Sequence, residues 1–362
     1  MSVAVGLNRN ILIYSPMSKR YRVVLVGCGS ITKAWLDACQ KQFSGRVELV
    51  GFVDINADAA RARAAEFAPQ AWTGTSLETA LATLKPDVVF NCTIPDAHLA
   101  TTTAALKSGA HVLTEKPIAS NLSDALSLRA TAATTGLMLA VIQNYRCVRG
   151  ARTVRQALAA GVIGKLHTVN ADFFLAPRFG GFRDQMKHVL LLDMAIHTFD
   201  ASRFFSGASP RSVYCHEFNP AGSWYAHGAS AQAIFEMSDG IVVNYRGSWC
   251  AQGLQTNWNS SWRFIGERGT LLWDGAEGIR VERVVGAWNG KDFHQPVETV
   301  DILLLPDEPA KTGHAGMIGE FLDALDAGTT PSTVVTDNIH SFAMVEHAIL
   351  SAESGQRVSI KL

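Results

Sequence analysis

The sequence predicts an α/β protein in which a doubly wound parallel sheet is followed by an α+β domain with a large, open, mainly antiparallel sheet. Between Tyr21 and about Tyr145, short apolar runs rich in Val and Ile alternate with amphipathic segments, a pattern typical of parallel strands covered by helices. Beyond Tyr145 the chain has alternating segments separated by turn signals, which favours antiparallel strands. The length of 362 residues favours two domains.

The change of pattern sets the predicted boundaries. We expect residues 21–145 to form the first domain and residues 146–362 to form the second. Residues 1–20 are interpreted as a poorly ordered leader, because polar residues interrupt their apolar patches and no signal-peptide cleavage pattern follows. Met17 is a candidate for the natural start.

The composition is that of an ordinary soluble protein, with 48% hydrophobic and 18% charged residues. Lys and Arg number 32 and Asp and Glu number 32, so nucleic acid and anionic membranes are not expected as partners. No apolar run approaches the length of a membrane span. The six cysteines form no C-x-x-C pair, which favours reduced thiols and a cytoplasmic location over a zinc site.

The order of the predicted elements can be read directly from the sequence. In the first domain, the strands read RVVLVG, VELVGFVD, AWTG, DVVFNCT, HVLTE and LMLAVIQN. In the second, a strand LHTVNADFFL precedes a helix from about 190 to 205, and Asp239-Gly240 predicts a β-hairpin. Two helices, 313–327 and 337–354, are expected to close the chain.

The first strand runs into the segment GCGSIT, residues 27–32, and then into a helix. Glycines allow a tight turn and a close approach of the main chain to a pyrophosphate, whose charge is favoured at a helix N-terminus. Thr32 stands where a third small residue would complete the motif. The residues expected to bind a dinucleotide here are Gly27, Gly29, Ser30 and Ile31.

The second strand ends in Asp54, which strengthens this prediction. A carboxylate at that position can accept hydrogen bonds from the adenosine ribose and would repel the additional phosphate of NADP. We therefore expect NAD as the cofactor, with NADP less favoured. The alternative is that Asp54 caps a helix or lies in a solvated turn.

The fourth strand is followed by Thr93-Ile94-Pro95, which places these residues at the carboxyl edge of the parallel sheet, where ligands bind in such folds. We expect all three to contact the cofactor. His98 either contacts the cofactor as well or caps the next helix, and the sequence leaves both interpretations open.

The fifth strand ends in Glu115-Lys116-Pro117 at the same edge. Proline would stiffen the turn and fix the direction of the Lys116 ammonium group. Glu115 is expected to lie beside the cofactor, and Lys116 is a candidate for proton transfer and for binding both cofactor and substrate. The alternative is a solvated lysine in a proline turn.

The segment LLLDMAIHTFD supplies a candidate partner for the lysine. Asp193 and His197 are four residues apart and would share one face of a helix. Asp193 is expected to position a substrate hydroxyl and His197 to relay its proton. A buried Asp-His hydrogen bond without a catalytic role, or a metal site that lacks an evident third ligand, are the alternatives. Further candidates for the substrate pocket are Asn144, Arg146, Arg183 and His188.

The motifs VGCGSITKAW, VDIN, TIPDAH, LTEKP, QNYR and LLDMAIHTFD, in this order, resemble the Gfo/Idh/MocA family, the group of glucose-fructose oxidoreductase and inositol dehydrogenase. The resemblance covers nearly the whole chain from Tyr21. It implies a Rossmann domain, a second domain whose open sheet forms a homodimer or homotetramer, and sugar or polyol substrates. It makes Lys116 the lysine of the family's Glu-Lys-Pro, and Asp193 and His197 the substrate-binding and proton-transfer residues.

The sequence departs from the family's pattern at KHVLLLD, which replaces a glycine-rich run and puts inositol itself in doubt. We therefore expect NAD-dependent oxidation of a hydroxyl on a sugar or polyol. The resemblance leaves two alternatives open. One is a redox-assisted glycosidase that retains its NAD, and the other is a sensor that binds NAD without turnover.

Overall fold

The computed structural model describes residues 19–362. The predicted leader and Met17 lie outside the described residues, apart from Lys19 and Arg20. Within residues 19–362, every helix is too short or too polar to cross a membrane.

The first sheet has six parallel strands in the order β3-β2-β1-β4-β5-β6. This order is that of a doubly wound nucleotide-binding sheet, with the topological switch point between the parallel strands β1 and β4. The apolar runs form the strands because both faces of the sheet are covered: Val23, Val24 and Leu25 have no exposed surface. The strands are β1 (Tyr21–Val26), β2 (Val47–Val53), β3 (Trp72–Gly74), β4 (Val88–Asn91), β5 (His111–Thr114) and β6 (Leu139–Val141).

Five helices connect these strands, and short polar side chains begin three of them. Asn56, Ser76 and Asn121 each accept a hydrogen bond from a main-chain N–H in the first turn of the helix that follows. Gly136 ends the fifth helix at a φ of 69°. The helices are α1 (Thr32–Gln42), α2 (Ala57–Phe67), α3 (Leu77–Leu84), α4 (Pro95–Lys107) and α5 (Leu122–Thr135).

The second sheet has nine strands in the order β14-β13-β12-β11-β7-β10-β9-β8-β15. All neighbours are antiparallel except β7 and β10, so the predicted mainly antiparallel sheet is confirmed. Asp239 and Gly240 both have positive φ and form the predicted hairpin. The strands are β7 (Leu166–Phe174), β8 (Pro210–Phe218), β9 (Ser230–Met237), β10 (Val242–Ser248), β11 (Ser261–Gly266), β12 (Gly269–Trp273), β13 (Ile279–Val284), β14 (Val297–Thr299) and β15 (Val358–Ser359).

The second half has five α-helices among the described residues, and the longer ones, with one exception, share a core with this sheet. The five helices are α6 (Arg149–Ala159), α7 (Phe182–Gln185), α8 (Ile196–Ser206), α9 (Gly313–Ala327) and α10 (Val335–Ser354). A π-helix, Leu190–Ala195, leads directly into α8. The exception is α9, whose apolar side chains join the core between α1 and the first sheet. The chain thus returns to the first sheet after β14, and the last strand of the second sheet, β15, is added at the end of the chain.

A buried ion-pair network joins α8 and α10 to the segment that follows the first sheet. Arg146 lies in a 3₁₀ helix, Asn144–Cys147, and donates to both carboxylate oxygens of Asp200 at 2.6 and 2.7 Å. It also donates to Asp337 at 3.0 Å, and Arg203 donates to Asp337 at 2.8 Å. Arg146 therefore holds α8 and α10 together. The expectation that it lines the substrate pocket is wrong, because its charge is neutralised inside the protein.

Candidate active site

The glycine turn has the geometry that its sequence predicts. Gly27 has a φ of 83°, and a Cβ atom there would lie 2.6 Å from the carbonyl oxygen of Cys92, so glycine is required. Gly29 has open space where a Cβ would stand. Thr32 is buried at the start of α1 and donates its hydroxyl to the carbonyl of Gly29 at 2.6 Å. The residue that departs from the motif therefore stabilises the turn.

The N-terminus of α1 could hold an anion such as the pyrophosphate of NAD. The main-chain N–H groups of Ser30 and Ile31 have no acceptor within residues 19–362. Asp54, at the end of β2, accepts hydrogen bonds from the main-chain N–H of Cys28 at 2.7 Å and of Asn56 at 2.8 Å. It fixes the glycine turn from the position where a ribose would be bound.

The segment after β4 reaches the same edge of the sheet. Ile94 is 65% exposed, and Pro95 is the first residue of α4. Thr93 donates its hydroxyl to the side chain of Asn91 at 2.7 Å. The segment presents an exposed apolar side chain beside the glycine turn, where a cofactor could pack against it.

His98 is not positioned to bind a cofactor, in contrast to one of its two predicted roles. Its side chain is fully buried inside α4, and so it does not cap the helix either. One ring nitrogen lies 2.7 Å from the carbonyl oxygen of Pro117 and the other 3.0 Å from that of Thr93. Burial lowers the pKa of His98, so the ring is neutral at pH 7 and its single N–H donates to one of these two carbonyls.

Lys116 and Asp193 join the turn after β5 to the π-helix before α8. The ammonium nitrogen of Lys116 lies 2.7 Å from the main-chain carbonyl oxygen of Asp193 and 3.4 Å from its carboxylate. Arg183, from α7, donates to the other carboxylate oxygen at 2.9 Å. Burial raises the pKa of Asp193, but Lys116 and Arg183 outweigh it and hold the pKa below its ordinary value. Asp193 is therefore ionised at neutral pH.

His197 lies one helical turn beyond Asp193 and is 5% exposed. Its ring stacks on that of Tyr145, with centroids 4.1 Å apart and planes 12° from parallel. Burial, followed by the charges of Lys116 and His314, holds the pKa of His197 well below 6.5, so the imidazole is neutral at pH 7. Its Nδ1 atom is buried and has no hydrogen-bond partner in the described part of the chain.

The alternatives for the Asp193-His197 pair can now be compared with the geometry. Asp193 bonds to Lys116 and Arg183 rather than to His197, so the buried Asp-His hydrogen bond is not formed. Within residues 19–362, His, Cys, Asp and Glu side chains form no cluster of three that could hold a metal ion. A polar imidazole thus remains available beside the lysine.

Two predicted pocket residues lie in different surroundings. Asn144 is partly exposed and directly precedes Tyr145 in the 3₁₀ helix. His188 has its ring nitrogens 2.5 Å from Glu217 and 3.4 Å from Glu353. Glu217 in particular raises the pKa of His188. Both nitrogens of His188 therefore face carboxylates, which opposes its predicted role in substrate binding.

The structure adds three residues that the sequence does not reveal. Tyr145 covers the ring of His197. Trp35, from α1, donates its indole N–H to Glu115 at 2.8 Å, and His314, from α9, places Nε2 3.7 Å from the same carboxylate oxygen. Tyr145 lies within the motif QNYR, which follows the last strand of the first sheet, so its position in the sequence was a signal for a role at the site. Nothing in the local sequence links residues 35, 115 and 314.

The side chains gathered at this edge can move protons and stabilise charge, but lysine, aspartate and histidine do not carry a hydride. The glycine turn at α1 provides the place for a dinucleotide that does. The class defined by this combination is the NAD-binding oxidoreductases with a separate second domain. Residues 21–143 match the family described as "Oxidoreductase family, NAD-binding Rossmann fold", and residues 151–272 match the "GFO/IDH/MocA C-terminal domain". The chain belongs to the Gfo/Idh/MocA family, and its cofactor is NAD.

Similar proteins of known name extend over nearly the whole chain. A 1,5-anhydro-D-fructose reductase of Ensifer adhaerens is 23% identical, with 93% of this chain and 98% of the relative covered. A D-apiose dehydrogenase of Paraburkholderia graminis is 23% identical, with 95% and 90% covered. The fold is shared with an oxidoreductase from Agrobacterium radiobacter in complex with NAD+, L-tartaric acid and magnesium, at a TM-score of 0.82 and 20% identity, with 94% and 99% covered.

Proposed function

We propose that the protein interconverts a hydroxyl group of a sugar or polyol and the corresponding carbonyl group, with NAD as the hydride carrier. The observation that carries this proposal is the contact between Lys116 and Asp193. It brings an ammonium group, a carboxylate and the neutral imidazole of His197 to the edge of the sheet where the cofactor is expected. Donors and acceptors of this kind suit a reaction in which a hydroxyl loses or gains a proton.

The substrate class is supported by the relatives. Their names describe a reductase of an anhydro-sugar and a dehydrogenase of a pentose, both similar to this chain along almost its full length. The two names correspond to opposite directions of the same type of reaction. We therefore propose sugars or polyols as the substrate class. The direction of the reaction would depend on whether oxidised or reduced cofactor is supplied.

Each residue of the site has a proposed role. Gly27, Gly29, Ser30 and Ile31 would hold the pyrophosphate, Asp54 the ribose, and Thr93, Ile94, Pro95 and Glu115 would border the cofactor. When bound, NAD supplies the acceptor or donor of the hydride. Lys116 would donate a hydrogen bond to the reacting oxygen, and His197 would exchange its proton. Asp193 and Arg183, with Asn144 nearby, would hold further hydroxyl groups.

The experiment is a screen for turnover. Aldopyranoses, furanoses, inositols and deoxy-sugars are incubated with NAD or NADP, and the formation of reduced cofactor is followed by absorbance. Net NADH with at least one sugar is the expected result, because a glycosidase that regenerates its NAD would accumulate none. Binding of NAD with neither NADH nor sugar cleavage would favour a sensor and overturn the proposal.

A further inference from the structure

Three parts of the chain that are remote in sequence meet at the buried carboxylate of Glu115, which is 7% exposed and directly follows β5. Its Oε1 atom accepts the indole N–H of Trp35 at 2.8 Å and lies 3.7 Å from Nε2 of His314. Its Oε2 atom accepts the main-chain N–H of Lys116 at 3.1 Å. Glu115 therefore connects α1 and α9 to the backbone of the lysine.

The charge of Glu115 depends on these neighbours. Removing a carboxylate from water is unfavourable unless donors or opposite charges compensate for it. Burial raises the pKa of Glu115, but His314, Trp35 and Lys116 together outweigh burial and hold the pKa below its ordinary value. Glu115 is therefore ionised at neutral pH, and it stays in place as an acceptor for Lys116.

The position of His314 is rigid. It lies in the first turn of α9, two residues before a close contact of that helix with the 3₁₀ helix. A Cβ atom at Gly316 would stand 2.7 Å from the side chain of Cys147 and 2.6 Å from the carbonyl of Lys311. The absence of a side chain at Gly316 thus allows α9 to pack closely. The imidazole of His314 is 18% exposed and is held against the carboxylate by this packing.

We propose that His314 is a positioning residue of the site, which fixes the Glu115 carboxylate and through it the place of the Lys116 ammonium group. The inference rests on the proposed function and adds a residue to the same site. Without His314, the indole of Trp35 would be the one remaining side-chain partner of Oε1 of Glu115 among the described residues. The turn that carries Lys116 would then lose part of its support. A small displacement of a catalytic group is sufficient to slow a reaction strongly.

A pair of substitutions separates this role from simple packing. In His314→Gln the amide nitrogen can reach the place of Nε2, whereas in His314→Asn it reaches only the place of Nδ1. With the sugar selected by the screen, we expect His314→Asn to lower kcat about tenfold with little change in the dissociation constant of NADH. His314→Gln should recover kcat to within about threefold of the parent. His294→Gln, which changes an exposed histidine between β13 and β14, is the control and should equal the parent.

A double-mutant cycle with Glu115→Gln tests whether the effect passes through the carboxylate. Coupled residues give non-additive effects. We expect His314→Asn to lower kcat little further in the Glu115→Gln background. Full additivity, or parent kcat in His314→Asn, would overturn the proposal. If instead Lys116→Ala kept parent turnover, the proposed function itself would fail, so the two failures are distinguishable.

A second measurement needs no substrate. Pyridoxal phosphate with borohydride labels accessible lysines, and peptide mass spectrometry gives the rate at Lys116. This rate should rise several-fold in His314→Asn, because the ammonium group is held less firmly against Asp193, and should match the parent in His314→Gln and His294→Gln. An unchanged rate in His314→Asn would show that His314 does not position the lysine.

Discussion

The ammonium group of Lys116 donates a hydrogen bond to the main-chain carbonyl of Asp193 at 2.7 Å and so joins the end of β5 to the π-helix before α8. A π-helical turn changes the main-chain hydrogen-bond register and is frequent at functional sites. A substrate hydroxyl that binds Lys116 must share or replace this contact. The lysine is thus directed at the second part of the chain.

The first prediction concerns Lys116. Replacement by alanine removes the proposed hydrogen bond to the reacting oxygen and should lower kcat by about 10²-fold or more, the range for loss of an acid or base group. NADH binding, measured by fluorescence titration, should change little. Lys107→Ala, at the exposed end of α4, serves as the control. Turnover at the parent rate in Lys116→Ala would contradict the assignment.

The second prediction concerns the choice of cofactor. Asp54→Ser removes the carboxylate proposed to bind the ribose and to repel the phosphate of NADP. The ratio of kcat/KM for NAD to that for NADP should fall by about tenfold or more, equivalent to roughly 1.4 kcal/mol. Both cofactors should also bind more weakly, because Asp54 fixes the glycine turn through Cys28 and Asn56. A parent enzyme that prefers NADP would show that Asp54 has another role.

The third prediction concerns pH. The pKa of His197 is well below 6.5 in the folded protein, whereas the unfolded chain binds a proton as the pH falls through about 6.5. The unfolded state then binds more protons than the folded state. His197 therefore does not lower the free energy of unfolding above that pH and lowers it progressively as the pH falls below it.

This pH effect can be measured by the midpoint of urea unfolding between pH 7 and 5. His197→Gln should show a weaker loss of stability over this interval than the parent, because glutamine does not titrate. His294→Gln, which changes an exposed histidine, should keep the slope of the parent. Equal slopes in all three proteins would exclude a buried neutral His197.

The fourth prediction concerns the buried network. Arg146→Met removes the partner of Asp200, whose carboxylate is almost fully buried, and breaking such a pair costs about 3 to 5 kcal/mol. Arg61→Met breaks an exposed ion pair with Asp58 and should cost less than about 1 kcal/mol. Denaturant unfolding of both variants tests the contrast. Similar losses in the two proteins would contradict the structural role given to Arg146.

The fifth prediction concerns assembly, for which we propose a homodimer or homotetramer through the open face of the nine-stranded sheet. Tyr214 and Ile234 are paired on β8 and β9 and are 44% and 51% exposed, with Phe218 40% exposed on the same strand as Tyr214. Apolar side chains on an open sheet face favour association. Ile234→Arg should shift the mass from light scattering toward the monomer. A parent protein that is already monomeric would refute the proposal.

The sequence predicted the features that depend on local pattern. Continuous apolar strands require cover on both faces, and this pattern predicted the parallel sheet. A turn with the backbone angles of Gly27 requires glycine. The carboxyl ends of parallel strands share one edge, so Lys116 could be placed beside the glycine turn before any distance was known. The helix 313–327 and the hairpin at Asp239-Gly240 follow from equally local signals.

The tertiary structure decided which of the polar residues lie at the site. By sequence, His98 and Arg146 look as suitable for a site as His197 and Arg183, yet backbone carbonyls and carboxylates engage the first two inside the protein. His314 has no motif around it and reaches Glu115 only because α9 returns to the first sheet. Burial and partners arise from contacts between residues far apart in the chain. The sequence by itself therefore determined the fold, the cofactor and the edge of the sheet where the lysine lies, and three-dimensional packing decided which side chains surround it.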